Sequence, residues 1–220
     1  MFMKKLLPVI VLSVLFTLTE FFIVNTRIPQ EVHYTGPTVS IEQQHAATHR
    51  VGVFQEFEGE VGHCSGTAIG PHAILTAQHC FRDSNQIRLD ADKEPTTILA
   101  AFVDGNDHVI YLVNREFKVW VSIDQRKLSA GERVHFWGNP GMSTDILRTG
   151  VFVKIGLIPE VSSRVKLQIF ILPVFRGDSG SGLFDEDGNI VAVLSMGDES
   201  AHEWSIPLAF SPAQLNIAAR

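Results

Sequence analysis

The chain has 220 residues and a formal net charge of −6, from 18 basic and 24 acidic side chains. That length allows one large domain or a compact pair of subdomains around a buried core, and the acidic balance, with no basic run beyond a dipeptide, argues against nucleic acid as a partner. Fifteen Phe, many Val and Ile and few long stretches of helical period favour an all-β chain.

The first 24 residues differ from the rest. Lys4 and Lys5 precede an apolar run over 6–18, and after Thr19 and Glu20 a second apolar patch follows at 21–24. This pattern predicts a secretory signal peptide. Counted through Val24 it is also long enough to span a bilayer as a signal anchor, and no small-x-small cleavage site separates the two readings. A buried helix of the folded domain is the third reading. In the first two the lysines stay cytoplasmic and the remainder is exported. Residues 25–48, with Pro29, Gly36 and Pro37 and no sustained period, read as a linker.

From residue 49 the pattern is of short apolar runs broken by turns. Strands are expected at 51–54, 66–69 and 73–76, with Gly70-Pro71-His72 turning between the last two. Strands at 97–103 and 108–113 flank the turn Asp104-Gly105-Asn106-Asp107. A bridge over 114–128 leads to a second set at 151–157, 165–172, 183–184 and 190–196. Glu186-Asp187-Gly188-Asn189 supplies a hairpin turn in that set. Ser211-Pro212 is an N-cap and first-turn pair for a short terminal helix.

Two stretches carry chemistry. In Gly177-Asp178-Ser179-Gly180-Ser181-Gly182 a serine lies among glycines that permit tight turns and bring backbone N–H groups close to a substrate oxygen. A serine is a weak nucleophile at neutral pH without a base, and Thr76-Ala77-Gln78-His79-Cys80 offers one. The second stretch resembles the TAAHC motif, and the first the GDSGGP motif, of the chymotrypsin/trypsin-like serine proteases, with Gln78, Ser181 and Gly182 departing from the pattern. The order, histidine first and serine last, is also theirs. The α/β-hydrolases run serine, acid, histidine, and Ser181 stands where their G-x-S-x-G elbow needs its second glycine. Gly131-Glu132-Arg133-Val134 and Gly138-Asn139-Pro140-Gly141 form a segment similar to one in bacterial trypsin-like peptidases.

The resemblance covers roughly residues 48 to 212 and implies two antiparallel six-stranded β-barrels with the active site between them, over 49–118 and 119–220, and a short C-terminal helix. It implies His79 as general base and Ser179 as nucleophile, with the backbone N–H groups of Gly177 and Ser179 as the oxyanion hole. For the acid it favours Asp107, which opens an apolar strand, with Asp104 as fallback; both also fit ordinary turn formation. Pro173 falls at the base of the primary pocket and Ser195-Met196-Gly197 on the strand that pairs with substrate. With no acid at Pro173, a preference for Lys or Arg is not expected. Family members often carry a disulfide where Cys64 and Cys80 lie, worth about 3 kcal/mol for such a loop. Free thiols or a zinc site from His63-Cys64 and His79-Cys80 are the alternatives, the latter disfavoured by adjacent ligands that converge poorly on one ion. Activation in the family can free an N-terminus that pairs with the Asp beside the serine. Arg50-Val51-Gly52 resembles such a start poorly, which leaves Asp178 to find another partner.

The resulting expectation is an exported serine endopeptidase, anchored or released, acting on polypeptide without a metal or organic cofactor. A catalytically silent peptide-binding member of the fold and an esterase built on it are the alternatives.

Overall fold

The computed structural model describes residues 39–55, 59–81, 86–90, 92, 94–139, 146–158, 162–197 and 202–220. The expected signal peptide or anchor and most of the expected linker lie outside the described residues. The end of that linker is a helix, α1 (Ile41–Ala47), whose N-cap Ser40 accepts from the Gln43 amide while the Gln43 side chain accepts from the Ser40 amide. This reciprocal capping satisfies two orphan donors of a helix too short to persist alone.

The first half is a closed barrel of six strands: β1 (Thr48–Gln55), β2 (Gly59–Gly70), β3 (Ala73–Ala77), β4 (Gln86–Leu89), β5 (Thr96–Val103) and β6 (His108–Val113), paired in the order β1-β2-β3-β6-β5-β4. Every residue of β3 is buried, as expected of a strand between two neighbours with the core on one side and the rest of the molecule on the other. A 3₁₀ helix (Gln78–Phe81) leaves the end of β3.

The second half is a seven-stranded antiparallel sheet that curls almost into a second barrel. Its strands are β7 (Arg133–Gly138), β8 (Ile146–Ile158), β9 (Ser162–Ile171), β10 (Gly182–Phe184), β11 (Ile190–Val193), β12 (Met196–Gly197) and β13 (His202–Ser205), in the order β11-β10-β7-β8-β9-β13-β12. The two-barrel, all-β architecture is thus present. The strand expected over 190–196 breaks at 194–195, and β4, β7 and β13 are additions to the expected set. The terminal helix α2 (Pro212–Ala218) is capped by Ser211, as its sequence predicts.

Two cores hold the halves. One contains Ile74, Leu75, Ile87, Leu89, Val109 and Ile110; the other contains Val134, Phe136, Phe152, Phe170 and Leu172. The β10–β11 hairpin serves both: Phe184, Ile190 and Val193 pack in the first, and Leu183, Val191 and Ala192 in the second. Neighbours such as Leu183 and Phe184, or Ile190 and Val191, fall in different cores because successive side chains leave a strand on opposite faces. The serine segment runs directly into this hairpin.

Candidate active site

His79 sits in the 3₁₀ helix at the end of buried β3, where strand register determines what it meets. Ala77 pairs with His108, so the residue before His108 lies against the start of the 3₁₀ helix. Asp107 therefore makes three contacts there. Its carbonyl accepts from Gln78 N at 2.8 Å. Its carboxylate accepts from His79 N at 3.0 Å and lies 2.6 Å from His79 Nδ1. A carboxylate on Nδ1 holds the imidazole with its proton on that nitrogen, leaving Nε2 as the basic atom and stabilising the ring when it becomes charged. The side chains remain 34% and 21% exposed, so the pair lies at a surface open to a ligand.

Asp104, the fallback acid, points elsewhere. Its buried carboxylate is 2.7 Å from buried His108 Nδ1 and accepts from the amides of Asn106 at 2.8 Å and Ala209 at 3.1 Å. Burial opposes its ionisation, but the His108 bond and charge and the two amides outweigh it, holding its pKa below the ordinary carboxylate value. With Asn106 Nδ2 donating to Pro207 O at 2.8 Å, Asp104 pins the Asp107 turn to the chain near residue 208.

Cys64 and Cys80 form a disulfide, which ties β2 to the 3₁₀ helix beside His79. Cys64, His79 and Cys80 do cluster within 4.8 Å, but the two sulfurs that a metal would need are bonded to each other.

Ser179 is held from the opposite side. Its carbonyl accepts from Ser65 N at 2.8 Å, and Gly180 N donates to Leu194 O at 2.7 Å. Gly180 has a φ of 89°, and a Cβ there would fall 2.1 Å from Ser65 O, 2.3 Å from Thr76 Oγ1 and 3.0 Å from Ala77 N. The segment is thus pressed onto Ser65 of β2 and the end of β3, two residues before His79, a fit only glycine allows. Gly177 has a φ of 102° and lies against Asn139 O. Ser65 Oγ fixes its orientation, donating to Gly177 O at 2.8 Å and accepting from Asn139 N at 3.2 Å. Among the described residues the amides of Asp178 and Gly180 donate to Phe175 O and Leu194 O, whereas those of Gly177 and Ser179 donate to none. Two free N–H groups flanking a serine are what a developing oxyanion requires.

Asp178 finds its partner inside the chain. Arg148, on β8, donates from Nη1 and Nη2 to the two carboxylate oxygens at 2.5 and 2.6 Å, with the side chains only 7% and 2% exposed. The guanidinium lies 4.5 Å from the Phe136 ring centroid and 5.3 Å from that of Phe175, and Nη1 reaches Pro173 O at 3.3 Å. Asp178 also accepts from Phe175 N at 2.7 Å, closing the turn before the serine. Such a buried bidentate pair strongly resists loss of either member.

The residues expected to bind substrate are placed less closely. Pro173 is exposed and meets Arg148 through its carbonyl. Ser195 is buried next to Leu194, whose backbone bonds both Gly180 and Ser181. Met196 and Gly197 form β12, paired with Trp204 and Glu203. Arg148 and Ser65 escaped the sequence reading: an arginine in a strand reads as a solvated side chain, and a serine in a run of small residues carries no signal.

Residues 64–193 match the family model of the trypsin-like peptidase domain. No curated protein matches the chain in sequence. Among solved structures, the fold is similar to the Rv3671c protease from M. tuberculosis in its active form, with a TM-score of 0.63 at 15% identity over 81% of this chain and 89% of that one. The inactive form of that protease gives 0.64 at 16% identity, over 82% and 92% of the two chains. The serine endoprotease from Yersinia pestis gives 0.58 at 18% identity, over 77% of this chain and 62% of its own. At these identities the likeness is one of fold, while the sequence match spans both chemical motifs, and the chain belongs to the trypsin-like peptidase domain family.

Proposed function

We propose that the protein is a serine endopeptidase in which Ser179, His79 and Asp107 act as nucleophile, base and orienting acid. The observation that carries this reading is the Asp107 carboxylate 2.6 Å from His79 Nδ1, on the strand end against which the Ser179 segment is packed. His79 Nε2 takes the proton of Ser179 Oγ as the oxygen attacks a peptide carbonyl. The oxyanion is stabilised by the Gly177 and Ser179 amides. Collapse of the tetrahedral intermediate breaks the C–N bond, with His79 protonating the leaving amine. Water, deprotonated by His79, then releases the acyl group. The chemistry calls on no metal or organic cofactor.

The substrate is a polypeptide. Without an acid at Pro173, small or apolar residues are the preferred side chains before the cleaved bond; a panel of peptides varied at that residue tests this, and a preference for Lys or Arg would overturn it. Export is part of the proposal, with residues 1–24 as leader or anchor, and the disulfide supports it because such bonds persist in oxidising compartments.

The decisive experiment is fluorophosphonate labelling of the full chain in mild detergent beside Ser179→Ala. Labelling confined to the unsubstituted protein, with hydrolysis of peptides, is the expected result. Turnover of esters alone would identify an esterase, and a folded protein that takes no label would point to a peptide-binding member of the family.

A further inference from the structure

His108 is a buried polar group that the proposed chemistry does not use. It opens β6, directly after Asp107, and its side chain is fully shielded from solvent. Nδ1 lies 2.7 Å from Asp104 Oδ2, whereas Nε2 has no hydrogen-bond partner among the described residues. An apolar side chain of similar size would fill the same space without an orphan ring nitrogen, whose burial costs free energy. Such a ring is explained by what its other nitrogen holds.

It holds a carboxylate whose surroundings demand one. Asp104 Oδ2 meets His108 Nδ1 and accepts from Ala209 N at 3.1 Å, while Oδ1 accepts from Asn106 N at 2.8 Å. A carboxylate accepts at both oxygens, whereas an amide in its place would turn an N–H towards the Asn106 or the Ala209 amide. Asp104 N also donates to His108 O at 3.4 Å, so side chain and backbone together close the two ends of the turn. Asp107 is enclosed between them, with its carbonyl on Gln78 N and its carboxylate on His79. The Ala209 amide ties this turn to the second half of the site. Earlier in the same run of chain, Ser205 Oγ donates to Val193 O at 2.7 Å, next to Leu194, whose carbonyl accepts from Gly180 N. One short stretch, 205–209, thus touches both the backbone beside Ser179 and the carboxylate that closes the Asp107 turn. Resting on the triad reading above, we propose that Asp104 is a positioning residue of the active site. Through His108 and the Ala209 amide it sets the direction in which the Asp107 carboxylate meets His79, without itself touching substrate or the reacting atoms.

A double-mutant cycle separates positioning from stability. Second-order rates of fluorophosphonate labelling are measured for the full chain, Asp104→Asn, Asp107→Asn and the double variant. Each is scaled to the label taken up at completion, so that unfolded molecules do not count. Asp104→Asn is expected to slow labelling about tenfold where Asp107 is present and less than about twofold in the Asp107→Asn background, since misdirection cannot matter once the carboxylate is gone. His108→Leu, which removes the donor to Asp104, is expected to slow labelling to a similar extent. His108→Asn, whose amide N–H falls near the Nδ1 position, is expected to recover most of the rate, and this pair carries the test if Asp104→Asn does not fold. Equal slowing in both backgrounds would make Asp104 a stabiliser of the fold alone. An unchanged rate would mean that the turn holds Asp107 without it, and a rate as low in His108→Asn as in His108→Leu would mean that the ring only fills space. Any of these overturns the inference. If the unsubstituted chain takes no label, the triad reading itself fails and this inference with it.

Discussion

The two halves of the site are held by different forces. On the first-barrel side, His79 and Asp107 are fixed by strand register, by a disulfide and by a turn pinned through Asp104 and His108. On the second-barrel side, Ser179 lies in a segment of irregular backbone with two positive-φ glycines, stapled by the Arg148–Asp178 ion pair. Regular pairing distributes the work over many bonds, so each contributes modestly. A buried ion pair concentrates it, because removing one partner strands an uncompensated charge in the interior. The surroundings of His79, the proposed base, are therefore built to tolerate change, and those of Ser179, the proposed nucleophile, are not.

Substitutions can break that contrast. The largest effect on turnover short of removing Ser179 is expected from Asp107→Asn, which keeps the shape but favours the wrong imidazole tautomer; kcat per titrated site should fall about 10⁴-fold with little change in the midpoint of thermal unfolding. Arg148→Met is expected to cost about 3–5 kcal/mol in denaturant unfolding and to abolish most fluorophosphonate labelling. Adding Asp178→Leu should restore much of the stability, since an apolar pair fills the space without stranded charge, yet not the labelling, since Phe175 N loses its acceptor. Equal recovery of both would show that the ion pair acts through stability alone. Replacing Cys64 and Cys80 by Ala should cost about 3 kcal/mol in the same assay while leaving turnover per folded molecule nearly unchanged. A matching loss of turnover would put both halves of the site on the same footing.

The smallest effect is a pH dependence of stability. Burial lowers the pKa of His135 more than the nearby Asp185 and Glu186 raise it. The unfolded imidazole thus takes its proton near pH 6.5 and the folded one only at lower pH, so stability falls as pH drops below that value. Asp104, whose folded pKa is depressed, contributes stability above about pH 4 that is lost as pH falls through its folded value. Thermal unfolding of His135→Phe between pH 7 and 5 should show a shallower decline than the unsubstituted protein, with the acid limb below pH 4 unaltered.

The legible parts of the sequence were those where chemistry and local structure coincide. The segments around His79 and Ser179 stood out because the family motifs they resemble set particular residues in a short stretch, and both lie within the residues that match the family model. Most strands followed from alternation and turns, and helix α2 from Ser211-Pro212. The resemblance favoured Asp107 over Asp104 for the apolar strand that follows it, but both are turn aspartates, and the pairing of Ala77 with His108 is what brings Asp107 to His79. Arg148 was invisible for a similar reason. It is separated from Asp178 by 30 positions, and only the curl of the second sheet makes them neighbours. Helix α1 was more accessible, because Ser40 and Gln43 form a capping box that the proline-rich surroundings of the linker obscured. Strand β4 has only Ile87 and Leu89 to mark its buried face, too few for a period to show.

The hairpin of β10 and β11, shared by both cores, has a consequence for how the molecule opens. A strand pair that belongs to two hydrophobic clusters cannot separate from either without exposing apolar surface in both, so its amides should exchange with solvent only through global unfolding. Leu194 N, bonded to Ser181 O just beyond β11, and Gly180 N, bonded to Leu194 O, adjoin that slowest-exchanging unit. The backbone next to Ser179 is thereby part of the last structure to come apart, and the reactivity proposed for that serine should be lost at the same temperature at which the protein ceases to be folded.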